Sequence, residues 1–152
     1  MEPPVSPIRD ASSYSPSSTD LGISLLRFSL GVMWMAHALL KLLVFTLPGT
    51  AGFFASVGLP GWLAYPVFAV ELLGGLAIAV GLYARQLSLL LMPILLGAVW
   101  VHLPNGWVHT SAGGGWEYPL FLCVSSLALW LLGDGAVAIR RSSWLVPRPA
   151  AA

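Results

Sequence analysis

A chain of 152 residues that is 57% hydrophobic and 9% charged falls well short of the roughly one quarter charged residues usual in a soluble domain, so its composition points into a membrane. The net charge of +1 offers no basic surface for nucleic acid. The single cysteine, Cys123, excludes an intrachain disulfide and a Cys-x-x-Cys redox pair.

Residues 1–20 are rich in Pro and Ser, lack an apolar core, and read as a disordered tail rather than a secretory signal. Four apolar segments follow, at about 21–47, 61–83, 87–103 and 118–132. A hydrocarbon layer about 30 Å thick takes about 20 helical residues. The first two segments meet that length, the third is at its short limit, and the fourth borrows from its flanks. Backbone groups in lipid must be satisfied internally, so each span is expected to be helical. The expected fold is therefore an all-α membrane protein, a four-transmembrane-helix bundle over 21–135, followed by a basic tail over 136–152.

Turn residues agree with these limits. Pro48–Gly49 closes the first span, Pro60–Gly61 opens the second, and Pro104–Asn105–Gly106 ends the third. Pro93 lies inside the third span and predicts a kink. Lys and Arg set the orientation. The connections 48–60 and 104–117 have neither, whereas Arg85 sits in the middle turn and Arg140, Arg141 and Arg148 follow the last span. Both termini are thus expected in the cytoplasm. Four spans also require the termini to share a side.

Charges within the spans are costly, at about 2.5–3.5 kcal/mol each on insertion scales, and they usually face a bundle interior. Arg27 lies about 9 Å from the inner end of its helix and is expected to snorkel toward the cytoplasm. Glu71 lies about 15 Å below the outer end, near the bilayer centre. His37 and Lys41 are four residues apart and share a helix face. Their side chains lean toward Glu71 across an antiparallel pair, so His37 or Lys41 is its expected partner, with Arg27 as runner-up. Within the second span, Gly75 and Ala79 are spaced for close helix contact.

The stretch WVHLPNGWVHTSAGGGWEYP at 100–119 concentrates the remaining polar residues on the outer face. His102 ends the third span, and Glu117 starts the fourth, where a carboxylate suits the helix dipole. His37, Lys41, Glu71, His102 and Glu117 are the candidate lining of one outer-half ligand or proton pocket. Arg27 and Arg85 are read as structural charges of the inner half. Trp100, Trp107 and Trp116 read as interfacial anchors. The triple glycine lacks the Lys and Ser or Thr of a phosphate loop and reads as a flexible lid. His37, His102, His109 and Glu117 have the donor types for a transition metal but no tight ligand spacing, and no metal is expected.

LLRFSLGVMWMAHALLKL at 25–42, TAGFFASVGLP at 50–60, VELLGGLAIAVGLYAR at 70–85 and HLPNGWVHTSAGGGWEYPLFL at 102–122 together resemble the DoxX family. The resemblance runs in order over roughly 21–135. It implies a small bacterial inner-membrane protein of four helices, related to subunits of quinone-coupled oxidation such as terminal quinol oxidase or thiosulfate:quinone oxidoreductase. Arg27, His37, Lys41, Glu71, Arg85, His102 and Glu117 match positions where the family motifs carry polar residues. Ala38 departs from the glycine that many relatives have after the histidine.

The reading favoured is an accessory membrane subunit of a quinone-linked oxidoreductase system, partnered by a redox protein and the lipid bilayer. A quinone is the candidate cofactor, because an apolar slot with His37 and Lys41 as donors and Glu71 as a proton acceptor suits its carbonyls. No ligand set for haem or an iron-sulfur cluster is evident. The alternatives are a noncatalytic scaffold or assembly subunit and, with less support, a small-molecule transporter, for which the inverted repeats and broken helices are lacking.

Overall fold

The computed structural model describes residues 15–147, so most of the expected N-terminal tail and Arg148 lie outside the described residues. The described residues are helical, with no β-structure beyond one isolated bridge. The order is α1 (Ser18–Leu43), α2 (Leu47–Ser56), a 3-10 turn (Gly61–Leu63), α3 (Ala64–Val80), α4 (Ala84–Leu90), α5 (Met92–His102), a second 3-10 turn (Leu103–Asn105) and α6 (Glu117–Leu132).

Three stretches are long and apolar enough to cross a membrane: Ser18–Leu43, Gly61–Val80 and Ala84–Asn105. Glu117–Leu132 is a shorter apolar helix. α1 starts three residues before the expected position because Ser17 and Asp20 form a capping box. Ser17 Oγ accepts from the Asp20 N–H at 3.1 Å, and the Asp20 carboxylate accepts from the Ser17 N–H at 3.1 Å. α1 also stops earlier than expected. Thr46, at φ 61°, turns the chain and accepts from the Gly49 N–H at 3.2 Å, launching α2 in the 48–60 connection that follows the first span. Pro93 breaks the third stretch outright, with α4 ending at Leu90 and α5 beginning at Met92. A proline here has no N–H to offer the Leu89 carbonyl four residues back.

α1 and α3 pack antiparallel along a seam of small residues. A Cβ on Gly31 would lie 2.6 Å from the Gly75 carbonyl oxygen, and one on Gly75 would lie 2.7 Å from the Trp34 Cβ. Neither position has room for a side chain, so the backbones touch. Gly75 and Ala79 therefore act within the chain, against Gly31. The seam fixes the register: Arg27 lies level with Gly81, and Lys41 with Glu71. Ile78, Leu91 and Leu129 are fully buried in the core where α3, the α4–α5 break and α6 meet.

The bundle has two unlike ends. One holds α2 and the 103–116 connection and is called the loop end. The other, the strap end, holds the α3–α4 turn and residues 133–145, which fold back as an ordered strap. The Arg140 N–H donates to the Gly81 carbonyl at 3.0 Å, and the Tyr83 N–H donates to the Arg140 carbonyl at 3.2 Å. Arg27 does not reach water. It is 5% exposed and donates to the carbonyls of Asp134 at 2.7 Å and Val137 at 3.2 Å. The strap supplies acceptors nearer than solvent, which replaces the expected snorkelling. Arg85 caps α6, donating to the Trp130 carbonyl at 2.7 Å and to that of Leu131 at 2.9 Å. Asp134 accepts from the Ser142 N–H and hydroxyl, both at 2.8 Å, and so pins the strap to itself.

Candidate functional site

Close approach of α1 and α3 at their glycines carries Lys41 against Glu71. The Lys41 ammonium donates to Glu71 Oε2 at 2.7 Å, and the two side chains are 18% and 4% exposed. Glu71 is thus a nearly buried carboxylate with one cationic partner, and that ion pair stands in the wall of a cavity. The cavity, about 1200 Å³, exceeds the ~300–1,000 Å³ common for ligand pockets. Trp34, His37 and Lys41 of α1 line it, with Phe53 of α2, Glu71 of α3, His102 of α5 and Tyr118 and Leu122 of α6. Most of the lining is apolar. The polar groups are few and come from separate helices.

Two of the cavity histidines are oriented by their own helices. His37 Nδ1 lies 2.8 Å from the Met33 carbonyl and His102 Nδ1 lies 2.7 Å from the Ala98 carbonyl. A carbonyl can only accept, so each Nδ1 carries the hydrogen, and in the neutral ring Nε2 is left as an acceptor on the side away from its helix. His37 stacks on Tyr118, with ring centroids 5.7 Å apart and planes 22° off parallel. The Tyr118 hydroxyl is buried and has no hydrogen-bond partner among the described residues. A buried hydroxyl left unpaired costs about 1–3 kcal/mol.

Four of the five candidate pocket residues, His37, Lys41, Glu71 and His102, share this wall. Glu117 does not. Its Oε1 accepts from the His109 N–H at 2.8 Å and from His109 Nδ1 at 2.7 Å. These two bonds, the backbone one first, hold its carboxyl below the ordinary range. Glu117 shapes the cover, and His109 in turn joins the cavity lining. Glu71 bonds directly to Lys41, while Arg27 is engaged at the strap end.

The cover is an ordered turn rather than a slack one. Gly113 and Gly114 have φ of 83° and 78°, which side-chain-bearing residues rarely adopt. A Cβ on Gly115 would collide with the carbonyl oxygens of Trp107 and Val108. Asn105 Nδ2 donates to the Gly113 carbonyl at 2.9 Å, and Trp107 meets Trp116 edge to face at 4.5 Å. Gly114 and Gly115 both face the cavity, so the triple glycine lets a backbone turn approach His102 closely. Tyr118 and Trp34 are the residues that hydropathy concealed, since each reads as span. The one signal for Tyr118 was a hydroxyl next to Glu117 in the first turn of an apolar helix.

Among the described residues, no three His, Cys, Asp or Glu side chains are grouped as metal ligands. Cys123 is buried in the apolar core.

Residues 22–103, more than half the chain, match the family model described as DoxX. The chain is also 33% identical over 123 residues to a protein of Bacillus subtilis (strain 168) named "Putative oxidoreductase CatD", an alignment covering 80% of this chain and 87% of that protein. No solved structure matches the chain. With the family model matched over more than half its length, this chain belongs to the DoxX family.

Proposed function

We propose that the chain is a four-span inner-membrane protein with both termini in the cytoplasm. It serves as an accessory subunit of a quinone-linked oxidoreductase system, and its loop-end cavity holds the quinone. Three helical stretches of spanning length, the third broken at Pro93, the shorter apolar α6, and Arg85, Arg140 and Arg141 gathered at the strap end support that topology. The oxidoreductase name of the Bacillus relative supports the redox context.

The observation that carries the cavity reading is the Lys41–Glu71 pair set in an apolar wall beside two histidines and an unpartnered tyrosine hydroxyl. A bound quinone would supply two-electron, two-proton redox chemistry. The chain's part is to hold it and handle protons. Lys41 uses one ammonium hydrogen on Glu71 and has two left for a ligand carbonyl. The Tyr118 hydroxyl is a second donor. The Glu71 carboxylate and the histidine Nε2 atoms accept protons, and Trp34, Phe53 and Leu122 exclude water. Electrons pass to or from a partner protein.

The scaffold alternative loses its most specific surface, because Gly75 and Ala79 are occupied by α1. The test is purification in mild detergent with extraction and mass spectrometry of bound quinone. Wild type should retain it, and Glu71→Gln and His37→Ala should lose it while keeping the helical circular dichroism of wild type. Wild type without quinone, and unable to take it up when quinone is added, would remove the reading.

A further inference from the structure

At the strap end, well away from the cavity, a second concavity of about 620 Å³ runs between α3 and α4. Its deep part is walled by Leu73 and Leu90, which are 65% and 68% exposed. Gly74 and Ala77 form a floor of small residues. Toward the strap Tyr83, Gln86 and Trp144 add polar atoms among the apolar Leu82 and Leu145. The groove is thus wholly apolar at the end nearer the middle of the bundle and carries its few polar groups at the end nearer its surface.

Two independent features mark the polar end. Gln86 is 5% exposed and lines the groove, and its amide Nε2 donates to the Trp144 carbonyl. Its Oε1 is buried without a hydrogen-bond partner among the described residues. A buried amide oxygen left unpaired is costly, so the site asks for a donor. Above it, the Arg140 guanidinium lies 5.1 Å from the centre of the Tyr83 ring, and Tyr83 itself lines the groove. Arg140 and Arg141 are both exposed. The acid of the strap, Asp134, is 7% exposed and already accepts from Ser142. The rim is therefore cationic, and among the described residues no carboxylate forms an ion pair with Arg140.

We infer that the α3–α4 groove is a binding site for one anionic glycerophospholipid with a hydroxyl-bearing headgroup. The acyl chain lies along Leu73, Ala77 and Leu90, the phosphate faces Arg140, and a headgroup hydroxyl donates to Gln86 Oε1. The direction of the polarity gradient and the sign of the rim charge each select this occupant over a peptide or a soluble anion. A peptide has no use for the deep apolar end, and inorganic phosphate has no use for the groove. The inference concerns the opposite end from the quinone cavity and stands without it.

The test uses the full chain in mild detergent and native mass spectrometry with phosphatidylglycerol, phosphatidylmethanol and phosphatidylcholine of matched acyl chains. One phosphatidylglycerol should bind, more tightly than phosphatidylcholine. Arg140→Gln, an exposed change that leaves the strap backbone in place, should weaken phosphatidylglycerol about fivefold, as expected for one basic side chain at a charged lipid surface, and leave phosphatidylcholine unchanged. Gln86→Leu should erase the preference for phosphatidylglycerol over phosphatidylmethanol, which has the same charge and no hydroxyl. Ala77→Phe, which fills the floor, should weaken all three, and millimolar inorganic phosphate should displace none. Equal retention of anionic and zwitterionic lipid, or phosphatidylglycerol binding untouched by both Arg140→Gln and Ala77→Phe, would overturn the site.

Discussion

The two ends of the bundle use charge in opposite ways. At the strap end, Arg27 and Arg85 give their guanidinium hydrogens to the ends of α6 and the strap, and Asp134 folds the strap onto itself. Those charges work as structural ties. At the loop end, Lys41 and Glu71 satisfy one bond of each other and then face open space with His37, His102 and Tyr118. A buried ion pair in membrane helices is expensive to keep only for packing. The difference teaches that burial of charge does not by itself mark a site; spare hydrogen-bonding capacity beside a cavity does.

That comparison can be broken most forcefully at the seam which sets both ends in register. Gly75→Leu should destabilise the protein by about 3 kcal/mol or more, since overpacking a tight contact costs about 1–3 kcal/mol and here the clash is with backbone; unfolding in detergent with denaturant would measure it. Glu71→Ala should follow at about 3 kcal/mol, because it strands a half-buried ammonium. Replacing both partners, Lys41→Met with Glu71→Leu, should restore most of that stability yet abolish quinone binding. A double variant that still bound quinone would put the pair among the structural charges.

Arg27→Gln should cost about 2 kcal/mol, the scale of charged hydrogen bonds lost to the strap, and leave quinone binding unchanged. Limited proteolysis after residue 133 should report the loosened strap. The smallest effect concerns the cover. His109 holds the Glu117 carboxyl below its ordinary range, so this contact is fully present above the unfolded carboxylate value and is lost as pH falls through the depressed folded one. The Trp107–Trp116 contact should loosen in that acid window, seen in near-ultraviolet circular dichroism, and Glu117→Gln should make the signal indifferent to pH.

Much of this arrangement is legible from residue types alone. The four-residue spacing of His37 and Lys41 and the isolation of Glu71 in an apolar run are local facts, and antiparallel packing converts them into one wall. The Pro93 break follows from a missing N–H. Where the reading stops, the determinants are nonlocal. Nothing in the connection after Leu47 announces α2, because Thr46 and the Pro48–Gly49 pair read equally well as a plain turn. The strap has no period, and its order comes from carbonyls meeting Arg27 and Arg85, contacts more than 40 residues apart in sequence. Glu117 starts α6 as its sequence suggests, but its bonds to His109 are not legible, because His109 lies across a turn whose course depends on three glycines. Gly75 and Ala79 signalled a close contact without naming its partner, Gly31.

The most direct measurement is a calorimetric titration of a soluble quinone analogue into wild type and into the Lys41→Met, Glu71→Leu double variant under one detergent condition. Wild type should show saturable one-site binding and the variant none, while the variant keeps most of the wild-type stability and a cooperative unfolding curve. Identical isotherms would contradict this and leave the pair as a tie between helices.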